Sequence, residues 1–183
     1  MADFFDHITD KHAEFIAAQP MFFTATACAE GRINLSPKGM DSFRVLSPSL
    51  CGYLDVTGSG NETSAHIKND GRITVMFNSF TRNALIYRIY GKGRVVRPGQ
   101  AEFSDLAAHF PSRPGARQII LIEVESTQTS CGWGVPEMEM IGKRDTLRKW
   151  AEGKGPDGVV EYQQNRNAVS IDGLDTGLND QPE

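Results

Sequence analysis

The sequence predicts a mainly β protein, an antiparallel barrel of six or more strands with peripheral helices. Three observations lead there. Strand-like runs recur along the middle of the chain and are joined by short turns rich in Gly, Pro, Asn and Asp. Within them, Ile73, Val75 and Phe77 alternate with Thr74, Met76 and Asn78, the period-2 pattern of a strand with one buried face. No alternation of strands with long amphipathic helices appears, which argues against a doubly wound parallel sheet. A barrel would also leave no strand edge exposed.

Taken in order, Phe5, Ile8, His12, Phe15 and Ile16 recur at spacings of three and four, predicting an amphipathic helix over residues 4–18 that stops before Pro20. Strands follow at 21–28, 33–35, 41–46 and 50–57, with Glu30-Gly31 as a turn and Pro48 between the last two. Ala65 to Lys68 reads as a short helix closed by Asn69-Asp70-Gly71, and 73–77 as the alternating strand. Leu85 to Val96 is a long strand with Tyr87, Ile89 and Val95 on one face and Arg88, Tyr90, Lys92 and Arg94 on the other, a polar face suited to a ligand or a second subunit. Residues 100–110 form a short helix, 119–129 another alternating strand, and 146–152 and 158–165 two helical segments. Beyond them the chain thins into Gly, Asp and Asn like an arm or tail.

At 183 residues the chain is most simply one domain, 1–183, comprising an N-terminal helix (1–19), the barrel (20–130) and C-terminal helices and tail (131–183). A domain of this size buries about 70% of its unfolded surface, enough for a core without staples. The net charge is −4, and residues 172–183 hold four acids and no base, so the remainder is formally balanced. No basic footprint for nucleic acid is present. The three cysteines, 28, 51 and 131, form no CxxC pair and read as reduced thiols. The acidic start Met1-Ala2-Asp3-Phe4-Phe5-Asp6 lacks the pattern of a secretory signal, and no apolar run approaches the ~18 residues of a membrane span. The expectation is a cytoplasmic protein.

The stretch from Ile33 to Gly93 holds the candidate chemistry. Tyr53 to Thr57 leads into Gly58-Ser59-Gly60 and then the short helix, whose start has two candidate caps, Ser59 in a capping box with Glu62, or Asn61. Either start directs unpaired backbone amides outward from a glycine-lined mouth, the arrangement by which a helix N-terminus holds a phosphate. The same pattern also describes an ordinary capped strand-to-helix turn. The spacing of a Walker loop or dinucleotide fingerprint is absent. Ser36-Pro37-Lys38-Gly39 forms a turn, and Lys38, Arg44, Arg72, Arg88, Lys92 and Arg94 are candidate donors to an anion, though each taken alone reads first as a solvated strand face.

The ordered series Asn34-Leu35-Ser36-Pro37-Lys38-Gly39, Tyr53 to Thr63, Gly71 to Phe77 and Tyr90 to Val95 resembles the pyridoxamine 5'-phosphate oxidase-like family over roughly residues 20–130. The resemblance implies an FMN-binding split barrel, a homodimer with flavin at the subunit interface, and an FMN-dependent oxidoreductase acting on a small-molecule substrate or nicotinamide donor. It makes Ser36 and Lys38 part of a wall of the flavin site, places Ser59, Asn61, Glu62 and Thr63 at the ribityl phosphate, and brings Arg88 or Arg94 near it, from the same subunit or the other, with Arg44 as a further compensating cation. Two departures stand out. Asn61-Glu62-Thr63 replaces the Ser-Arg-Lys series of true pyridoxamine phosphate oxidases, losing two cations and gaining an acid. The C-terminal Asn167 to Leu174 lacks the family's arginine- and histidine-bearing motif, so synthesis of pyridoxal phosphate is not expected.

Trp133, flanked by glycines, either lies beside the flavin ring or plugs the barrel end. Cys131 reads as a buried, inert thiol. His66 reads as solvent-facing, with orientation of a phosphate as the alternative, and His7, His12 and His109 form no metal pattern. No nucleophile elbow accompanies Gly58-Ser59-Gly60, and no catalytic acid or base is identified. The rival readings are a non-catalytic carrier of FMN or haem, an association barrel with an empty site, and use of the deazaflavin F420.

Overall fold

A computed structural model describes residues 2–180. Eight strands, β1 (Asp3–Phe5), β2 (Phe22–Thr26), β3 (Asn34–Lys38), β4 (Phe43–Ser47), β5 (Leu50–Val56), β6 (Arg72–Asn78), β7 (Leu85–Val96) and β8 (Ala116–Cys131), form one sheet. Four helices accompany them: α1 (Asp10–Ala17), α2 (Glu62–Asn69), α3 (Phe103–Ala107) and α4 (Thr146–Asn167). The order across the sheet is β3-β2-β6-β7-β8-β5-β4, with β1 added to β8, and every pairing is antiparallel. This is the mainly β, antiparallel class expected from the strand pattern.

The sheet curls without closing. Phe22 on β2 and Phe43 on β4 sit near opposite ends of the strand order, yet their rings lie 5.1 Å apart, edge to face. With Tyr53, Phe77, Tyr87 and Ile89 they fill a core that α1 covers through Ile16. A second cluster, Leu54, Val96, Phe110, Ile119 and Leu121, packs against α3. Edges therefore remain at β3 and β4, contrary to the full closure expected. Edge strand β3 carries Pro37, which lacks an amide donor and so does not extend the ladder at that position.

Three boundaries differ from expectation for identifiable reasons. The N-terminal helix starts at Asp10 rather than residue 4, because Asp3 to Phe5 pair with Thr127 to Thr129 of β8 and Thr9 caps the helix by accepting from the His12 amide. The two expected C-terminal helical segments run as α4 with a kink at Gly155, whose φ is +70° and which precedes Pro156. The expected arm is in fact docked: residues 168–180 fold back over α2, where Ser64 donates to the Thr176 carbonyl at 2.7 Å, Arg97 donates to the same oxygen at 2.8 Å, and Lys68 pairs with Asp175 at 2.6 Å. The tail residues 181–183 lie outside the described residues. Among the described residues no helix is long and apolar enough to cross a membrane.

Candidate functional site

The site begins where β5 ends. Thr57 hydrogen-bonds the Gly115 carbonyl through both its amide and its hydroxyl, each at 2.8 Å, and the chain then turns through Gly58 to Gly60 into α2. A cavity of about 580 Å³ opens between this loop, the start of α2, β3, the end of β5 and the C-terminal end of α4. Ser36, Lys38, Ser59, Asn61, Glu62 and Thr63, the residues anticipated from the motif series, all line it.

Beneath the cavity lies a buried ionic network. Asp55 accepts from Arg117 Nη2 at 2.6 Å, from Gln118 Nε2 at 2.9 Å and from Lys38 Nζ at 3.2 Å. Asp55 and Arg117 are each 3% exposed in their side chains. Burial alone would raise the Asp55 pKa; the charges of Arg117 and Lys38, with the hydrogen bonds from Arg117 and Gln118, outweigh it and hold the carboxyl well below the usual range. Arg117 also donates to the Gly60 carbonyl at 3.1 Å and to Asn167 Oδ1 at 2.6 Å, so a single guanidinium ties the glycine loop, β5 and α4 together.

Asn61 occupies the cap position of α2 but its side chain makes no capping bond. Its amide is engaged inward, accepting from Gln118 Nε2 at 2.8 Å and donating to the Asn167 carbonyl at 3.3 Å. Glu62 likewise does not complete the expected capping box; both carboxylate oxygens accept from the Ile171 amide at 3.2 Å. The first α2 amide bonded to the cap residue's carbonyl is that of Ala65, to Asn61 O; the amides before it have no intrahelical partner, and two of them belong to Glu62 and Thr63, which line the cavity. Below them runs a hydrogen-bonded chain: Ser36 donates to Asn34 Oδ1, Asn34 donates to both Thr63 and Thr26, and Thr26 meets His66 Nδ1 at 3.0 Å. His66 is 2% exposed, not solvent-facing, because α2 packs that face on β2.

Because Asn61 is a structural tie, Asn61→Asp removes the donor to Asn167 and adds a second acid beside Asp55. The expected loss is about 1–3 kcal/mol in a urea titration; an unchanged midpoint would show the tie to be dispensable.

The remaining anticipated residues stand elsewhere. Arg44, on edge strand β4, donates to the His109 carbonyl at 2.9 Å and to Asp41 at 2.8 Å and lies over the Phe110 ring. Arg88, midway along β7, donates to Ser130 at 2.9 Å. Trp133 follows β8 and is 85% exposed, so it does not plug the sheet. Arg72 and Arg94 pair with Asp70 and Glu102. Cys131 is exposed rather than buried, since β8 ends there at the sheet margin. Among the described residues no cluster suited to a metal occurs.

Sequence reading passed over Asp55, Arg117, Asn167 and the C-terminal wall Asn165 to Ile171. The one available signal was an acid and a base each embedded in an apolar strand run, Leu54-Asp55-Val56 and Arg117-Gln118-Ile119. Their meeting depends on the β5–β8 register, which sets Asp55 opposite Gln118.

Chemically, the cavity combines outward helix amides, the Thr63 hydroxyl and three cations, Lys38, Arg117 and Arg166, against two carboxylates, Asp55 and Glu62. Its size is that of a site for a cofactor or drug-sized molecule.

Comparison with known proteins bears on the family and the fold. The family described as pyridoxamine 5'-phosphate oxidase matches residues 8–131. The pyridoxamine 5'-phosphate oxidase family protein ustO of Aspergillus flavus is 36% identical over 192 residues, spanning 95% of this chain and 77% of that protein. Among solved structures, HupZ of group A Streptococcus aligns at 25% identity with a TM-score of 0.52, covering 64% of this chain and 90% of its own. A Lactobacillus delbrueckii protein provisionally named a pyridoxamine 5'-phosphate oxidase aligns at 19% identity with a TM-score of 0.55, covering 67% and 94%. The latter likeness is one of fold.

Proposed function

This chain belongs to the pyridoxamine 5'-phosphate oxidase family, and from that premise we propose that it is an FMN-dependent oxidoreductase working as a homodimer with flavin at the subunit interface. Its reductant is a nicotinamide cofactor or a small reduced substrate. One observation carries the reading: six residues picked from the motif series converge on one 580 Å³ cavity at the N-terminus of α2.

The residues fit such a group. The α2 amides and Thr63 hydroxyl are donors for an anionic tail, and Ser36 and Asn34 offer hydroxyl and amide groups along the β3 wall. Arg117 and Lys38 are held by Asp55 in fixed positions, so the wall needs no reorganisation when a ligand enters. Asn167 Nδ2 donates to the Gly58 carbonyl at 3.1 Å and fixes the loop from the other side. A bound flavin supplies hydride or electron acceptance; the protein's part is to orient it and exclude water. The C-terminal segment bears no histidine, in keeping with a substrate other than pyridoxamine phosphate.

The test is a visible spectrum of the purified protein, release and identification of its chromophore, and anaerobic addition of NADH or NADPH, with the mass in solution measured in parallel. A yellow dimer that bleaches is the expected result. A yellow protein that no donor bleaches makes it a carrier, and a colourless one that takes up no added FMN overturns the reading.

A further inference from the structure

At the cavity mouth the charges are unevenly matched. Lys38 and Arg117 both converge on Asp55, at 3.2 and 2.6 Å. Glu62, the first residue of α2, has no ion pair among the described residues; its carboxylate is held by the Ile171 amide of the docked C-terminal segment, at 3.2 Å to each oxygen. The side chain folds back over the glycine loop, with Oε1 3.0 Å from where a β-carbon on Gly60 would stand. It therefore places a negative charge at the same helix end whose amides would receive the tail of an anionic ligand.

Resting on the flavin reading above, we propose that Glu62 sets the charge preference of this cavity: it disfavours a dianionic phosphomonoester tail, so that the ring and sugar-alcohol chain, and not the phosphate, dominate flavin affinity. Two features make this a property of the site rather than of a mobile surface acid. Glu62 is pinned by a backbone amide, and that amide belongs to a segment fixed by Thr176, which is fully buried and donates to the Asn167 carbonyl at 2.7 Å. The carboxylate does not swing away when a phosphate approaches unless the Ile171 contact breaks. Arg166 lines the same cavity and is exposed; it faces solvent and leaves the carboxylate unpaired.

The experiment compares equilibrium dissociation constants for FMN and riboflavin, followed by quenching of flavin fluorescence, in the wild-type protein and in Glu62→Gln, Glu62→Ala and Glu62→Asp. Glu161→Gln, a neutralised exposed acid on α4 that is not in the cavity, controls for net charge. The ratio of FMN to riboflavin affinity is expected to rise about tenfold in Glu62→Gln and Glu62→Ala, the equivalent of about 1.4 kcal/mol, and to stay near the wild-type value in Glu62→Asp and Glu161→Gln. Alanine also removes the Ile171 contact, so agreement between alanine and glutamine separates charge from structure. If both flavins bind and the ratio is the same in all variants, Glu62 has no such role while the cavity reading stands. If neither flavin binds any of the proteins, the flavin reading fails and this inference falls with it.

Discussion

Arg117→Ala is expected to lower stability by about 3–5 kcal/mol, because it removes one partner of a buried ion pair and leaves the Asp55 carboxylate without its principal counter-charge. Lys38 at 3.2 Å remains and is itself partly exposed, which places the loss toward the lower end of that range. The same substitution deletes the bonds to the Gly60 carbonyl and Asn167 Oδ1, so the glycine loop and α4 lose their common anchor and flavin affinity falls with stability. Urea denaturation at neutral pH measures the effect; a variant with the wild-type midpoint would show the pair to be dispensable.

The pH dependence follows from the same group. The folded Asp55 pKa is depressed below its unfolded value of about 3.9, so its contribution is fully present above that value and is lost as pH falls through the folded pKa. In the wild type the stability is expected to hold from neutral pH to about pH 5 and to decline below pH 4. In Arg117→Ala burial dominates and the carboxyl moves above its unfolded value, so the folded state binds the proton more tightly and this group's contribution reverses: the variant is destabilised at neutral pH and recovers part of that loss as pH falls through the raised pKa. Midpoints collected from pH 7 to pH 3 distinguish the two curves.

Gly91→Ala is the second large effect. Tyr90 pairs with Ser126 but Gly91 with Val124, so β8 carries one extra residue, Glu125, in a bulge at this point. A β-carbon on Gly91 would lie 2.0 Å from the Glu123 carbonyl oxygen, a backbone atom that no rotamer change moves. The two longest strands must part there, at an expected cost of about 3 kcal/mol or more. Ser126→Ala, on the partner strand beside the bulge, serves as a mild comparison. Thermal unfolding followed by circular dichroism reads the difference, and equal midpoints for the two variants would refute the steric argument.

The bulge also shows how far the pattern of β7 was legible. Alternation placed Tyr87 and Ile89 on the buried face, and both are fully buried. Val95, past the bulge, stays on that face and packs against the same cluster, while Val96 on the opposite face is fully buried in the second cluster. The period-2 reading of β7 holds across the bulge because the extra residue sits on β8; what it does not anticipate is that the opposite face is also covered at its end, by α3.

The candidate site divides in the same way. The Gly58-Ser59-Gly60 turn and the start of α2 were readable because turn chemistry and helix starts are properties of a few consecutive residues, whereas Ser36 to Lys38, expected as a turn, belong to edge strand β3, where Pro37 is tolerated. Arg88 was placed by the family resemblance, Arg44 as a compensating cation and Trp133 by its flanking glycines; within one chain Arg44 and Arg88 have local partners and Trp133 is exposed, and none of the three lines the cavity. His66 and Cys131 exchanged their expected environments, buried for exposed, because both assignments depended on what packs against them.

What this sequence determined by itself was its strand-rich antiparallel class, the long β7 strand, the glycine turn before α2 and the kinship carried by the ordered motifs, all encoded in short-range periodicity and dihedral preference. The tertiary structure decided the rest: that Asp55 meets Arg117 across 62 positions of chain, that Asn61 turns inward to Asn167 across 106, and that the acidic C-terminal segment docks beside the cavity instead of trailing. Those contacts arise from strand register and burial, where an ionised group is stable only beside its counter-charge, and neither register nor burial is written in the residues next to it.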